Sequence, residues 1–199
     1  MYVLFEGLDG TGKDLQTDRL VQRFLNQGQN PLRVHEPDEA MPGGTELRAL
    51  LKSGEHQEAQ LGLFVANRMA LQASKVRPAL AENRPVISVR SFVSTLVYQQ
   101  EQGYPLDWLI DIHRMLPCKA THLILLDLDP EVALSRATWR PGHMEFYEKL
   151  DIQRRNRQRY LDLVSMAGGF MSDPKRVGVI NALGTPDEVE ARITEFLSA

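Results

Sequence analysis

Seven residues near the N-terminus constrain this chain more than any other stretch. Gly7-Leu8-Asp9-Gly10-Thr11-Gly12-Lys13 has the spacing G-x-x-x-x-G-K. It follows a short apolar run, Tyr2 to Glu6, and opens a segment in which Leu20/Phe24 and Val21/Leu25 pair at i,i+4. Glycines in such a loop let the backbone curl around a phosphate with its N–H groups pointing inward. The helix N-terminus adds partial positive charge, and the lysine reaches the outer phosphates. A strand before and a helix after therefore predict a phosphate site built from Gly7, Gly10, Thr11, Gly12 and Lys13, not an ordinary turn. The motif normally continues with Ser or Thr, whose hydroxyl ligates Mg²⁺; here the residue is Asp14. Its carboxylate has three available roles: binding the metal directly, favouring the positive helix end, or repelling the phosphates.

Strand-like and helix-like segments alternate along the rest of the chain. Strands are predicted at Leu32 to His35, Pro85 to Val89, Leu123 to Leu126 and Val177 to Ile180. Helices are predicted from Lys13 to the Gly28 break, at Glu46 to Lys52, Glu58 to Glu82, Ser94 to Gln102 and Leu106 to Leu116. Another follows Pro130, a long polar one runs toward Ala167, and a closing one carries Val189, Ile193, Phe196 and Leu197. Strands that are apolar throughout, instead of alternating, belong to a sheet covered on both faces, and the helices supply its crossovers. The expected architecture is a doubly wound, three-layer α/β/α fold of about five parallel strands, with residues 1–199 forming one domain.

Composition narrows the function. With 23 Lys and Arg against 26 Asp and Glu, the net charge of −3 argues against a generally basic polyanion binder. One cysteine, Cys118, forbids an intrachain disulfide and fits a reducing compartment. No apolar run approaches the ~20 residues of a membrane span, and the first residues lack a cationic leader. A cytoplasmic protein without nucleic-acid or membrane partners is expected.

The segment Phe5 to Lys13 resembles the opening of the thymidylate kinases, and the resemblance continues down the chain. Glu36-Pro37 and Pro42-Gly43-Gly44-Thr45 are similar to the family's Glu-Pro-Gly-Gly-Thr stretch, split here by a short insertion. Leu63 to Arg68 resembles its base-binding helix, and Arg77 to Leu80 resembles the end of that helix. Arg90, Ser94-Thr95 and Tyr98-Gln99 resemble its Asp-Arg-x-x-x-Ser-Thr-x-x-Tyr-Gln pattern, and Tyr147-Glu148 through Tyr160 the segment after its lid. The resemblance implies phosphoryl transfer from ATP to dTMP with Mg²⁺, in a homodimer joined around residues 58 to 116. It implies catalytic roles for Lys13, Arg136, Arg140 and Asp9, with Asp9 at the deoxyribose 3′-hydroxyl or a metal-bound water. It also places Phe64 on the thymine, Arg68 at a base carbonyl, Thr95 at the base edge and Tyr98 against sugar C2. Arg90 would hold the acceptor phosphate, and Glu36, Pro37 and Glu148 would complete the acceptor site. Asp14 and Asp9 are the candidate metal ligands.

A lid is expected at residues 137–147, with Arg140-Pro141-Gly142 at its tip. Residues 136 to 159 hold seven basic side chains against three acidic ones, a local excess suited to charge on a moving phosphoryl group. The family's Asp before Arg90 is Val89 here, and the His three residues after Arg68 is Leu71. Asp14 and Val89 together suggest an exchange of one acid for another near the metal. Two alternatives follow from these departures: a kinase for another deoxynucleoside monophosphate, and a nucleotide-binding homologue with impaired catalysis.

Overall fold

A computed structural model describes residues 1–137, 149–166 and 176–198. Five strands form one parallel sheet: β1 (Tyr2–Glu6), β2 (Leu32–His35), β3 (Val86–Val89), β4 (His122–Asp127) and β5 (Arg176–Asn181), in the order β2-β3-β1-β4-β5. Every residue of β1 and β3 is buried, as apolar strands covered on both faces require. β1 pairs Val3 with Ile87 on one side and with His122 on the other, so it is the central strand.

The helices are α1 (Lys13–Asn26), α2 (Gly44–Ser53), α3 (Gln57–Leu71), α4 (Arg77–Ala81), α5 (Phe92–Tyr98), α6 (Leu106–His113), α7 (Pro130–Ala137), α8 (Leu150–Ser165) and α9 (Pro186–Ser198). α1 packs beside α9, where Arg19 bonds Asp187 at 2.6 Å and Arg23 bonds Thr194 at 2.5 Å. A second group joins α3, α5, α6 and α8. This is the expected three-layer α/β/α fold.

Two helices expected to be continuous are interrupted. The one predicted over Glu58 to Glu82 is α3, a π turn over Gln72–Val76, and α4. Pro78, at the start of α4, has no N–H to give back to the preceding turn, and its ring crowds the carbonyl four residues earlier. Ser94 to Gln102 likewise divides into α5 and a 3₁₀ turn over Gln99–Gln102, closed by Gly103 at φ +87°.

After β1 the chain turns toward β2, and after β4 it turns toward β5 on the opposite side. Neighbouring connections that diverge in this way open a crevice at the carboxyl ends of the strands, where α/β folds bind ligands. The glycine-rich loop fills that place because only glycine fits it. A Cβ on Gly7, at φ +139°, would lie 2.5 Å from the Leu126 carbonyl oxygen. On Gly10, at φ +83°, it would lie 2.0 Å from that of Ala133.

Candidate active site

The loop is held by its own backbone. Thr11 Oγ1 donates to the Leu8 carbonyl at 2.9 Å. α1 starts after Gly12, which is in the left-handed conformation at φ +88° and makes no side-chain cap. The first N–H groups of a 14-residue helix thus meet no capping side chain at the crevice, the arrangement that receives an anion. Lys13 Nζ folds back onto the loop, donating to the carbonyls of Gly7 at 3.0 Å and Leu8 at 2.7 Å, and lies 4.0 Å from Asp9. Burial, reinforced by the Arg90 charge, lowers its pKa to about 7. A neutral amine has two N–H donors, and the two carbonyls take both.

A cavity of about 560 Å³ opens from this loop. Of the expected site residues, Asp9, Gly10, Gly12, Lys13, Asp14, Glu36, Pro37, Phe64, Arg68, Arg90, Thr95, Tyr98 and Arg136 line it. Gly7 and Thr11 shape the loop from behind. Arg140, Glu148 and the lid from residue 138 onward lie outside the described residues. Phe64 is half-buried on the cavity wall, an aromatic face available to a planar ring.

Arg90 sits at the joint between β3 and α5 with φ +64°, a conformation rare for a side chain of its size. Its amide donates to the Phe5 carbonyl at 2.9 Å, and its carbonyl accepts from Ser88 Oγ at 2.7 Å. The guanidinium then reaches Asp9 Oδ1 at 2.6 Å and Ser94 Oγ at 3.0 Å, and lies 5.3 Å above the Tyr98 ring. Burial raises the Tyr98 phenol to about 12, so it stays neutral.

Arg68 is 2% exposed and shares its fork among three elements. Nε donates to Glu36 Oε2 at 2.5 Å, Nη2 to Thr95 Oγ1 at 3.0 Å, and Nη1 meets His113 Nε2 at 2.8 Å. Since a guanidinium only donates, His113 accepts at Nε2 and carries its proton on Nδ1, facing the Leu109 carbonyl at 2.6 Å. Burial, with the adjacent Arg68 charge, lowers His113 to about 3.

Three contributors escaped the sequence reading. His113 is one. Glu6 is another: fully buried, it accepts from the Ser91 amide at 2.7 Å and from Ser94 Oγ at 2.6 Å, and burial raises its pKa. It anchors the turn that presents Arg90. The third is Gln99, a 1% exposed residue on the cavity wall whose side-chain nitrogen and oxygen are both buried without a hydrogen-bond partner among the described residues. Its position beside Tyr98 in the motif was the available signal.

The basic stretch from Arg136 divides into two groups among the described residues. Arg154 bonds Glu131 at 2.5 Å, Arg155 bonds Glu101 at 3.0 Å, and Arg159 also pairs with Glu101. Arg157 forks onto Asp127 at 2.7 and 2.8 Å. These four arginines pair with three carboxylates outside α8, Glu101 taking two of them, and none of the four lines the cavity. Arg136 does, while donating to the Ala182 carbonyl at 3.3 Å. Asp14 and Val89 line the same cavity, as the exchange of acids requires. The Asp14 carboxylate, however, accepts from Arg33 at 2.8 Å.

A parallel sheet of this order, with a phosphate loop after the central strand and arginines across the crevice, defines the phosphate-loop kinase fold. The chain belongs to the thymidylate kinase family, whose pattern matches residues 5–193. It is 34% identical to the probable thymidylate kinase of Thermococcus kodakarensis, over 99% of this chain and 97% of that protein. Against the thymidylate kinase of Dinoroseobacter shibae the identity is 33%, over 98% and 95%. Against the probable thymidylate kinase of Pyrococcus horikoshii it is 31%, over 98% and 95%.

Proposed function

We propose that this chain transfers the γ-phosphoryl group of ATP to dTMP, giving ADP and dTDP for dTTP synthesis. The observation that carries the reading is that one cavity holds both ends of such a reaction. The phosphate loop with Lys13 and Arg136 is at one end, and Phe64, Arg68 and Gln99 are at the other. Arg90 lies between them, suited by its planar fork to the acceptor phosphate. Phosphoryl transfer asks mainly for positioning and for neutralised charge, and each of these groups supplies one or the other. Phe64 offers a stacking face, while the Gln99 amide offers one donor and one acceptor. That pair complements the N–H and C=O edge of thymine. Tyr98, packed under Arg90, is the residue we assign to crowding the sugar C2 position.

Mg²⁺ fits this donor set. Among the described residues no three His, Cys, Asp or Glu converge into a cage, and Mg²⁺ needs none, because it is usually held by substrate phosphates, waters and one or two carboxylates. Asp14 and Asp9 at the loop are the residues that would hold it, and the metal would neutralise charge on the transferred group. Arg140 and Glu148 belong to the same proposal as lid and acceptor-site groups.

We extend the reading to a cytoplasmic homodimer. No helix among the described residues is long and apolar enough to cross a membrane. On α6, Trp108 is 45% exposed and stacks on Tyr104 at 5.5 Å, an apolar surface within the expected dimer region.

Incubating the protein with ATP, Mg²⁺ and a panel of nucleoside monophosphates, and following diphosphate formation, tests the activity. Turnover confined to dTMP supports the assignment. Binding of dTMP and ATP without turnover of any acceptor defeats it.

A further inference from the structure

The residue after the loop lysine is the point where this chain departs most from the phosphate-loop pattern, and the structure shows what accompanies the change. Asp14 stands in the first turn of α1 on the cavity wall, with 47% of its side chain exposed. A bare carboxylate there would oppose a polyphosphate, since like charges a few ångströms apart repel and a partly exposed rim screens them only in part. The charge is not bare. β2 runs beside α1, and Arg33 on it places Nη2 at 2.8 Å from Asp14 Oδ1. The same edge of the guanidinium also faces Asp18, one turn further along α1, whose Oδ1 lies 2.7 Å from Nε as an ion pair without hydrogen-bond alignment. Asp18 is 63% exposed. Arg33 thus spans the outer face of the first turn, bound to two carboxylates four residues apart. His35, two residues on along β2, also lines the cavity.

We propose that Arg33 is a positioning residue for the donor nucleotide: it holds the Asp14 carboxylate neutralised at the rim of the phosphate loop, so that a polyphosphate can enter although an acid stands where the motif has a hydroxyl. This rests on the phosphate-loop reading above and adds to it a residue outside the motif. Asp14 and Arg33 act as one unit. Removing the arginine alone uncovers a negative charge, whereas removing both leaves the loop nearly as permissive as removing the acid alone.

The test is ADP binding without metal, by isothermal titration calorimetry in EDTA, for the wild type, R33Q, D14T and the double variant. R33Q is expected to weaken ADP binding by about 3- to 10-fold, the scale of a partly exposed charge pair. D14T is expected to bind as tightly as the wild type or tighter, and the double variant within about twofold of D14T. A merely structural Arg33 would show the same loss in both backgrounds, and that result overturns the proposal. So does an R33Q affinity within twofold of the wild type. Should R33Q fail to fold, D14T still decides, because weaker metal-free ADP binding by D14T contradicts a repulsive acid. A wild-type protein that binds no ADP with or without Mg²⁺ overturns the phosphate-loop reading itself, a result separate from the other two.

Discussion

Asp9 and Arg90, 81 residues apart in sequence, meet across the mouth of the cavity with Nη2 2.6 Å from Oδ1. The contact ties the phosphate loop after β1 to the turn after β3, the two segments that would handle the donor and acceptor phosphates. Arg90 is also bonded to Ser94 and lies over Tyr98, so its fork is oriented before any ligand arrives. Lysine keeps the charge but cannot make the planar, two-pronged contact. Arg90→Lys is expected to lower kcat/KM for dTMP by about 100-fold, or roughly 2.7 kcal/mol. Steady-state kinetics read this directly, and a loss below about threefold removes Arg90 from the acceptor site.

The Arg68–Glu36 pair calls for a different measurement. Both side chains are almost fully buried, at 2% and 3% exposed, and loss of one partner strands the other charge away from water. Arg68→Ala is expected to destabilise the fold by about 3–5 kcal/mol as well as to weaken dTMP binding. Urea unfolding of the free protein checks the first effect. Because His113 accepts from the same fork, His113→Ala should show a smaller loss in the same direction.

The fold was largely legible because its signals are local. Apolar runs placed all five strands to within a residue or so, Tyr2–Glu6 and Leu32–His35 without error. The long helix was misjudged because Pro78 acts through the preceding turn, reshaping residues 72–76. The candidate site was legible only where a motif carried it. That Arg33 reaches Asp14, or that Arg154, Arg155, Arg157 and Arg159 find Glu131, Glu101 and Asp127, depends on which elements become neighbours. A count of charges along residues 136 to 159 carries none of that. It does not separate Arg136 from the four arginines on α8 that pair with other surfaces.

This distinction can be tested within the basic stretch. Replacing Arg154, Arg155 or Arg159 by Ala should leave kcat within about twofold, since exposed ion pairs contribute little. Arg136→Ala should lower kcat by about 100-fold if its charge faces the transferred group. Equal losses across all four variants would place the α8 arginines in the site after all.

Gln99 gives a prediction with opposite signs for stability and binding. Its amide is buried with neither polar atom bonded among the described residues, so the free protein bears the cost of that desolvation. Gln99→Leu, similar in size and apolar, should leave the melting temperature unchanged or raised. Affinity for dTMP should fall by about tenfold or more as the contact to the base edge disappears. Differential scanning fluorimetry and titration calorimetry on the same sample decide it, and unchanged dTMP affinity excludes Gln99 from base recognition.

The pKa of Lys13, about 7, makes nucleotide binding a proton-linked event. In the free protein above pH 7 the amine is mainly neutral and satisfied by the Gly7 and Leu8 carbonyls. An arriving polyphosphate favours the ammonium, raises the pKa, and draws a proton from solvent. Affinity for ADP should therefore fall as pH rises from about 7 to 9, by at most about tenfold per pH unit. At pH 8 the phosphate groups are already ionised, so uptake there reports on Lys13. Calorimetry in two buffers of different ionisation enthalpy should find a substantial fraction of a proton taken up per ADP, and Lys13→Met should abolish it. The same shift has a consequence for the free protein. The folded pKa lies below the unfolded value of about 10.4, so the unfolded chain binds more protons between those limits. The contribution of Lys13 to stability must then increase with pH across that window. No proton uptake at pH 8 would mean that Lys13 is already charged in the free loop.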